Sequence, residues 1–354
     1  MDSITVNYGK NYLQTVYEAL KASDILQHLD PGMAVAIKPN LVVPKPASYG
    51  ATTHPEVVEG IIVFLREAGV EKISIIESSW VGASTKDAFE ACGYERLSSQ
   101  YGVALVDLKG STATQASIEG EKILVCNEAL HADFLINVPV LKAHCQTLMT
   151  CCMKNLKGCI PDSEKRKFHR KGLHRQVALL NAVLKTGYCI VDGICGDLSF
   201  EEGGNPIEAN RIIAGANPLL IDSYCAGLIG YTPDEIGYLA IGEELGLGEL
   251  YSSATRITEL NTDEKPIWDA KASKGFESYK RYINEDSACS ACYSSLIFAL
   301  HKMGRRMPSE KIHIGQGFKG KQGAGIGVGN CASGFGKCAP GCPPTAAGII
   351  DMLR

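Results

Sequence analysis

Apolar and polar positions along the first two-thirds of the chain switch repeatedly between two patterns. Met33-Ala34-Val35-Ala36-Ile37-Lys38 is a short apolar run and predicts a strand. Thr53 then precedes His54 and Pro55, which open a helical pattern over 57–68 that Gly69 stops. Strands are predicted at 72–76, 104–108, 122–126, 133–137, 188–191 and 211–214. Helical patterns lie between and after them, at 85–92, 177–184, 219–229 and 233–241. Strands separated by helices predict βαβ units, hence an α/β fold with a mainly parallel sheet flanked by helices.

The pattern changes after residue 252. Asp263-Glu264-Lys265-Pro266 is polar and carries a proline, which predicts a boundary between about 252 and 275. The chain then divides into an α/β domain over 1–262 and a small C-terminal Gly/Cys-rich domain over 263–354. In the latter, helices are predicted at 287–303 and 344–353 and a strand at 311–314. Ten glycines fall in the 27 residues 315–341. This stretch reads as a loop wrapped round something, since glycines let backbone N–H groups come close to the sulfurs of a metal cluster.

Composition narrows the class. Hydrophobic residues make up 45% and charged residues 21%, an ordinary globular mix. No apolar run is long enough to span a membrane, and the first residues lack the pattern of a signal peptide, so a cytoplasmic protein is expected. In that compartment fourteen cysteines are not a disulfide framework. Net charge is −4, but residues 281–354 hold nine Lys/Arg against four Asp/Glu. No basic run interleaved with aromatics points to nucleic acid.

Among the cysteines, Cys126, Cys189 and Cys225 sit in apolar runs and read as small core residues. The C-terminal set differs, because its neighbours are Gly, Pro and polar residues. Cys289-Ser-Ala-Cys292 is a C-x-x-C pair, Cys331 follows a glycine-rich run, and Cys342 precedes Pro343. Cys289, Cys292, Cys331 and Cys342 are the favoured ligands of an iron–sulfur cluster, with Cys338 the alternate. A zinc site with four cysteine ligands is the chief rival, weakened by the 38 residues that separate Cys292 from Cys331. Unliganded structural thiols are the third option. Gly315-Gln-Gly317-Phe-Lys-Gly320 matches G-x-G-x-x-G, but no helical pattern or distant acid follows, so dinucleotide binding has little support.

Ligands of open parallel sheets bind beyond the carboxyl ends of strands. Lys38 and Asn40, Glu77, Asn137 and Asp192 occupy those ends here. Between 141 and 159, Lys142, His144, Lys154, Asn155 and Lys157 interrupt an otherwise apolar stretch. Converging lysines suit a small anion, carboxylate or phosphate, and His144 is placed to move a proton, with Lys142 beside it. A helix over 147–156 would put Thr147, Thr150 or Cys151, and Lys154 on one face; the bland alternative is a solvated surface helix. Residues 165–171 read as a charge-rich surface loop, with His174 beyond it the better pocket candidate.

Taken together, Ile37-Lys38-Pro39-Asn40-Leu41-Val42, His54-Pro55-Glu56-Val57-Val58, Glu77-Ser78-Ser79, Asn137-Val138-Pro139-Val140-Leu141-Lys142-Ala143-His144, Met153-Lys154-Asn155-Leu156-Lys157-Gly158, Val191-Asp192-Gly193 and Ala214-Gly215-Ala216-Asn217-Pro218 with Asp222 resemble the iron–sulfur-centre proteins of the domain of unknown function 362. The resemblance implies an α/β domain and a [4Fe–4S] cluster, and it supplies no reaction. Family members often carry ferredoxin-like cysteine spacing, from which this chain departs. The expected function is an iron–sulfur oxidoreductase of an anaerobic setting. The alternatives are an electron carrier or scaffold that docks a ferredoxin-like partner, and a structural-zinc protein.

Overall fold

The computed structural model describes residues 2–267, 274–304 and 306–354. The part of the expected boundary at 268–273 lies outside the described residues. In chain order the strands are β1 (Ser3–Tyr8), β2 (Ala34–Pro39), β3 (Lys72–Glu77), β4 (Ala104–Asp107), β5 (Ala113–Ile118), β6 (Glu121–Cys126), β7 (Phe134–Val138), β8 (Lys142–His144) and β9 (Leu148–Thr150). After these come β10 (Tyr188–Asp197), β11 (Pro206–Gly215), β12 (Arg256–Leu260), β13 (Ile283–Glu285), β14 (Ile312–Ile314), β15 (Gly323–Val328) and β16 (Phe335–Ala339).

Eight strands form one sheet in the order β12-β1-β11-β10-β7-β2-β3-β4. Within it β11 runs antiparallel to β1 and β10, while the other pairs are parallel. The central strands are apolar on both faces because helices cover both. Alternation along β2 shows this: Val35 and Ile37 enter one core, and Ala36 enters the other. The first core also takes Val57, Val58, Ile61, Ile62 and Leu65 from the helix Pro55–Glu67. Burying each such side chain stabilises the fold by about 1.5–3 kcal/mol. The second core packs the helices Leu173–Val183 and Pro218–Leu228 on the opposite face.

The expected strands are present, and the structure departs from expectation in four places. The segment 122–126 pairs with β5 in a separate hairpin instead of joining the main sheet. Strands β10 and β11 run to ten residues each where four were expected, because they continue past the sheet as a bulged antiparallel ribbon. Residues 147–156 are not one helix: β9 is followed by the short helix Cys152–Asn155 and a 3-10 turn, Leu156–Cys159. The charge-rich stretch at 165–171 is a helix, Asp162–Lys171, and not a loop.

The glycine-rich stretch is also not a loop. It supplies β15 and β16 of a four-stranded parallel sheet, β13-β14-β15-β16. A Cβ at Gly327 would meet the Ala332 carbonyl at 2.0 Å, so the chain can turn back between β15 and β16 only over a bare glycine. The helices Ser290–Met303 and Ala346–Leu353 share a third core with this sheet, built on Leu296, Ile297, Leu300, Ile312, Ile314 and Val328. Cys145 and Leu148 of the first unit pack against it. No helix among the described residues is long and apolar enough to cross a membrane.

Candidate functional site

A crevice opens where the carboxyl ends of β2 and β3 meet the C-x-x-C end of the helix Ser290–Met303. Its cavity holds about 100 Å³ and opens to solvent. Lys38, Asn40 and Glu77, at the ends of β2 and β3, line it together with Lys154, Asn155 and Lys157 from the segment that follows β9. Lys165, His169, Glu201, Cys289 and Ser290 complete the polar wall, and Val42, Trp80 and Val81 supply an apolar one.

Much of this wall is internally satisfied. Lys38 Nζ donates to Glu77 Oε2 (2.7 Å), the Pro39 carbonyl (2.8 Å) and Asn155 Oδ1 (3.0 Å). Glu77 also accepts from the backbone N–H groups of Leu41 and Ser78. The pair is fully buried and makes a rigid floor. Gly158 crosses directly above it, where a Cβ would lie 2.0 Å from Glu77 Oε1 and 2.5 Å from Lys38 Nζ. Asn155 joins the floor to Asn137, whose amide donates to the Cys152 carbonyl.

The short helix Cys152–Asn155 presents Lys154 because its first N–H groups are capped from the side. Asp222 accepts from Cys152 N at 2.6 Å and Met153 N at 3.0 Å. Lys154 donates to Thr150 Oγ1 at 3.3 Å, and Lys157 meets His169 Nε2 at 3.2 Å. Burial drives the Lys157 ammonium down to about 7, with Lys154 adding repulsion and Glu201 opposing it. Burial lowers Lys154 as well.

Glu201 carries no signal in sequence, and it is the acidic group that the motif at 141–144 serves. Lys142 and His144 sit two apart on β8 and face the same loop. Lys142 Nζ donates to the carbonyls of Ala51 (2.6 Å) and Glu201 (2.8 Å). Burial brings its amine down to about 7. His144 Nδ1 accepts two backbone N–H bonds, from Gln146 and Thr147, so the neutral ring carries its proton on Nε2. That nitrogen lies 2.5 Å from Glu201 Oε2. Burial lowers His144 to about 3. Burial alone would raise Glu201, but His144, Lys154 and Lys142 outweigh it and hold the carboxyl at about 2. Lys142 and His144 therefore lie behind the crevice wall, against Glu201.

Two other expected residues lie elsewhere. Asp192 accepts from His54 Nδ1 at 2.8 Å and from two backbone N–H groups. Burial opposes the charge on His54, yet the Asp192 carboxylate lifts it to about 10. His174 stacks on Tyr238, 6.0 Å between ring centres. His169 and Lys165, which sequence reading left on the surface, line the crevice instead. Their helix turns Lys165, Phe168 and His169 inward together, an i, i+3, i+4 stripe that could have flagged them.

Of the C-terminal cysteines, Cys289 lines the crevice. Burial pushes Cys292 up to about 12, and Cys289, Cys342 and Cys331 add to the shift. Burial raises Cys289, Lys157 pulls it back, and Cys342 and Cys331 again push it up. Cys331 is raised by burial and Cys342, and lowered by Lys319 and Arg166. Cys338 is shifted by burial alone, and its thiol points at the Gly329 carbonyl. Four sulfurs thus sense one another, and the alternate stands apart.

Tighter donor groups exist as well. His144, Cys145 and Glu201 place ligand atoms within 4.8 Å of one another, as do Cys151, Cys152 and Asp222. These groups, with fourteen unpaired cysteines, fit a metal-binding protein.

The domain of unknown function DUF362 matches residues 35–227, more than half of the chain. The chain belongs to this family. DUF362 thus covers β2 to the helix Pro218–Leu228, including the floor, Lys154, Lys157 and Glu201. A thylakoid-associated protein of Synechocystis sp. is 29% identical to this DUF362 chain over 236 residues, covering 64% of it and 72% of the relative. The lactate racemase apoprotein of Thermoanaerobacterium thermosaccharolyticum superposes with a TM-score of 0.44 at 14% identity. The alignment covers 66% of this chain and 57% of that structure, so just over half of its length is matched.

Proposed function

We propose that the protein is an iron–sulfur oxidoreductase acting on a small anion, with a [4Fe–4S] cluster held by Cys289, Cys292, Cys331 and Cys342. The observation that carries this reading is that Cys289 and Ser290 line the same crevice as Lys154 and Lys157. The donor set suits iron and sulfide better than zinc. Zinc–sulfur bonds of about 2.3 Å bring four sulfurs to within ~3.8 Å of one another. The C-terminal thiols are not among the donor groups that lie within 4.8 Å of each other, yet all four interact. Such spacing is natural round a cube of metal and sulfide. The small donor groups suit an ion less well, since at His144 the proton on Nε2 occupies the position a metal would need.

When bound, such a cluster supplies single electrons or an open, Lewis-acidic iron. The chain's own residues do the rest. Lys154 and Lys157 hold the anion, Trp80 and Val81 keep water from one side, and Glu201 presents a fixed carboxylate. His144 orients that carboxylate and takes no direct part at the crevice.

The cluster carrier in this reading is the C-terminal unit, 263–354. Cys342 is exposed and Cys331 partly so, with Lys319, Lys321 and Lys337 exposed in the same unit. This favours an acidic, ferredoxin-like protein as the source of electrons. The same exposure supports a second reading, a carrier without turnover. A cytoplasmic setting keeps the unpaired thiols reduced.

The test is anoxic purification with iron and sulfide analysis and electron paramagnetic resonance after reduction. Four irons and four sulfides per chain are expected. Serine at Cys289, Cys292, Cys331 or Cys342 should lower the iron content, whereas Cys338→Ser should leave it unchanged. Stoichiometric zinc with no iron would end the reading.

A further inference from the structure

Most charges at the crevice are already matched. Lys38 and Glu77 neutralise each other, and Lys165 is taken up by Asp162 at 3.2 Å and by Ser78 and Ser79. Lys154, Lys157 and Glu201 remain. Among the described residues, neither lysine pairs with a carboxylate: each has a single neutral partner, Thr150 or His169. Glu201 Oε2 faces His144, and Oε1 has no hydrogen-bond partner among the described residues. Both amines nevertheless feel the Glu201 carboxylate. Lys154, Lys157 and Glu201 thus line one crevice, and among the described residues no ion pair joins them. Isolated buried charges of this kind are costly unless something joins them.

We infer that the crevice takes a small monocarboxylate carrying a hydroxyl or amino donor close to its carboxylate. The carboxylate sits between Lys154 and Lys157, and the donor faces Glu201 Oε1. The inference rests on the anion-pocket reading and narrows it. With both amines protonated, Lys154 and Lys157 against Glu201 leave room for one added negative charge. Phosphate or a dicarboxylate brings two negative charges and sets one against Glu201. A plain carboxylate leaves Glu201 unpaired in the closed site, the situation in which a hydrogen-bonding pocket rejects an analogue most strongly.

The experiment is titration calorimetry on the cluster-loaded full chain, without oxygen, using butyrate, 2-hydroxybutyrate, 2-aminobutyrate and inorganic phosphate. The hydroxy or amino acid should bind at least tenfold more tightly than butyrate, and phosphate more weakly than either. Glu201→Ala should shrink that preference to threefold or less, and Lys154→Met should weaken all three carboxylates about tenfold. Equal affinity of wild-type protein for the three carboxylates would overturn the inference, and this comparison needs no variant to fold. If Lys154→Met still weakened them, the anion pocket would stand. If Lys154→Met changed nothing, the pocket reading would fall together with the inference.

Discussion

Lys142 shows how far a single residue can be read from sequence. Its position beside His144 in a short apolar stretch marks it as special, and it is among the largest fully buried side chains. What sequence lacks is the acceptor: two main-chain carbonyls far away in the chain, at 51 and 201. Two carbonyls satisfy a neutral amine and leave an ammonium one acceptor short. Its folded-state value of about 7 lies below the ordinary 10.5, so the unfolded chain binds the extra proton between those limits. Stability therefore rises with pH across that window, by at most about 1.4 kcal/mol per pH unit from this group. Lys142→Met should remove that component, flattening the rise of urea midpoint from pH 7 to 9.5 without abolishing it, since Lys154 and Lys157 are also lowered by burial. An unchanged slope would mean that Lys142 is charged in the folded protein. Glu201 escaped notice for the complementary reason: its neighbours in sequence say nothing, and its partners arrive from β8.

At the scale of elements, the central strands were legible because burial on both faces writes an uninterrupted apolar run, as in β2 and β7. The glycine-rich strands were not, because β15 pairs through close backbone approach and has too few side chains to write an alternating pattern. The helix Cys152–Asn155 was hidden for a third reason. Four residues make no hydrophobic pattern, and Asp222, which caps it, stands on the helix Pro218–Leu228. Burial and Cys151 push the Asp222 carboxyl up, while the Met153 N–H bond pulls it back. Asp222→Asn keeps the shape but turns an amide donor toward N–H donors. It should cost about 2 kcal/mol by thermal or urea unfolding, the usual penalty of a buried donor without an acceptor. Because Lys154 rides on this helix, carboxylate affinity should fall as well. Full stability with normal affinity would show that the cap is dispensable.

At the scale of the whole molecule, the crevice belongs to neither sheet alone. Gln146 donates to the Ala288 carbonyl and accepts from Ser290 Oγ, Ser290 N reaches His169 Nε2, and Gln316 donates to the Arg166 carbonyl. These bonds join the C-x-x-C segment to the β8–β9 turn and to the helix Asp162–Lys171. One wall of the crevice is therefore held by whatever holds Cys289. Without a bound centre, four thiols and a glycine-rich sheet rest on a small third core, whereas the main sheet keeps two large cores of its own. On the proposed cluster reading, removal of iron by an anoxic chelator should consequently loosen the C-terminal unit first. Limited proteolysis should then cut within 276–354 while 2–262 survives, and carboxylate affinity should drop at least tenfold although Lys154 and Lys157 remain in place. Cleavage spread evenly over the chain, or an affinity indifferent to iron, would show that the two units are not coupled through Cys289.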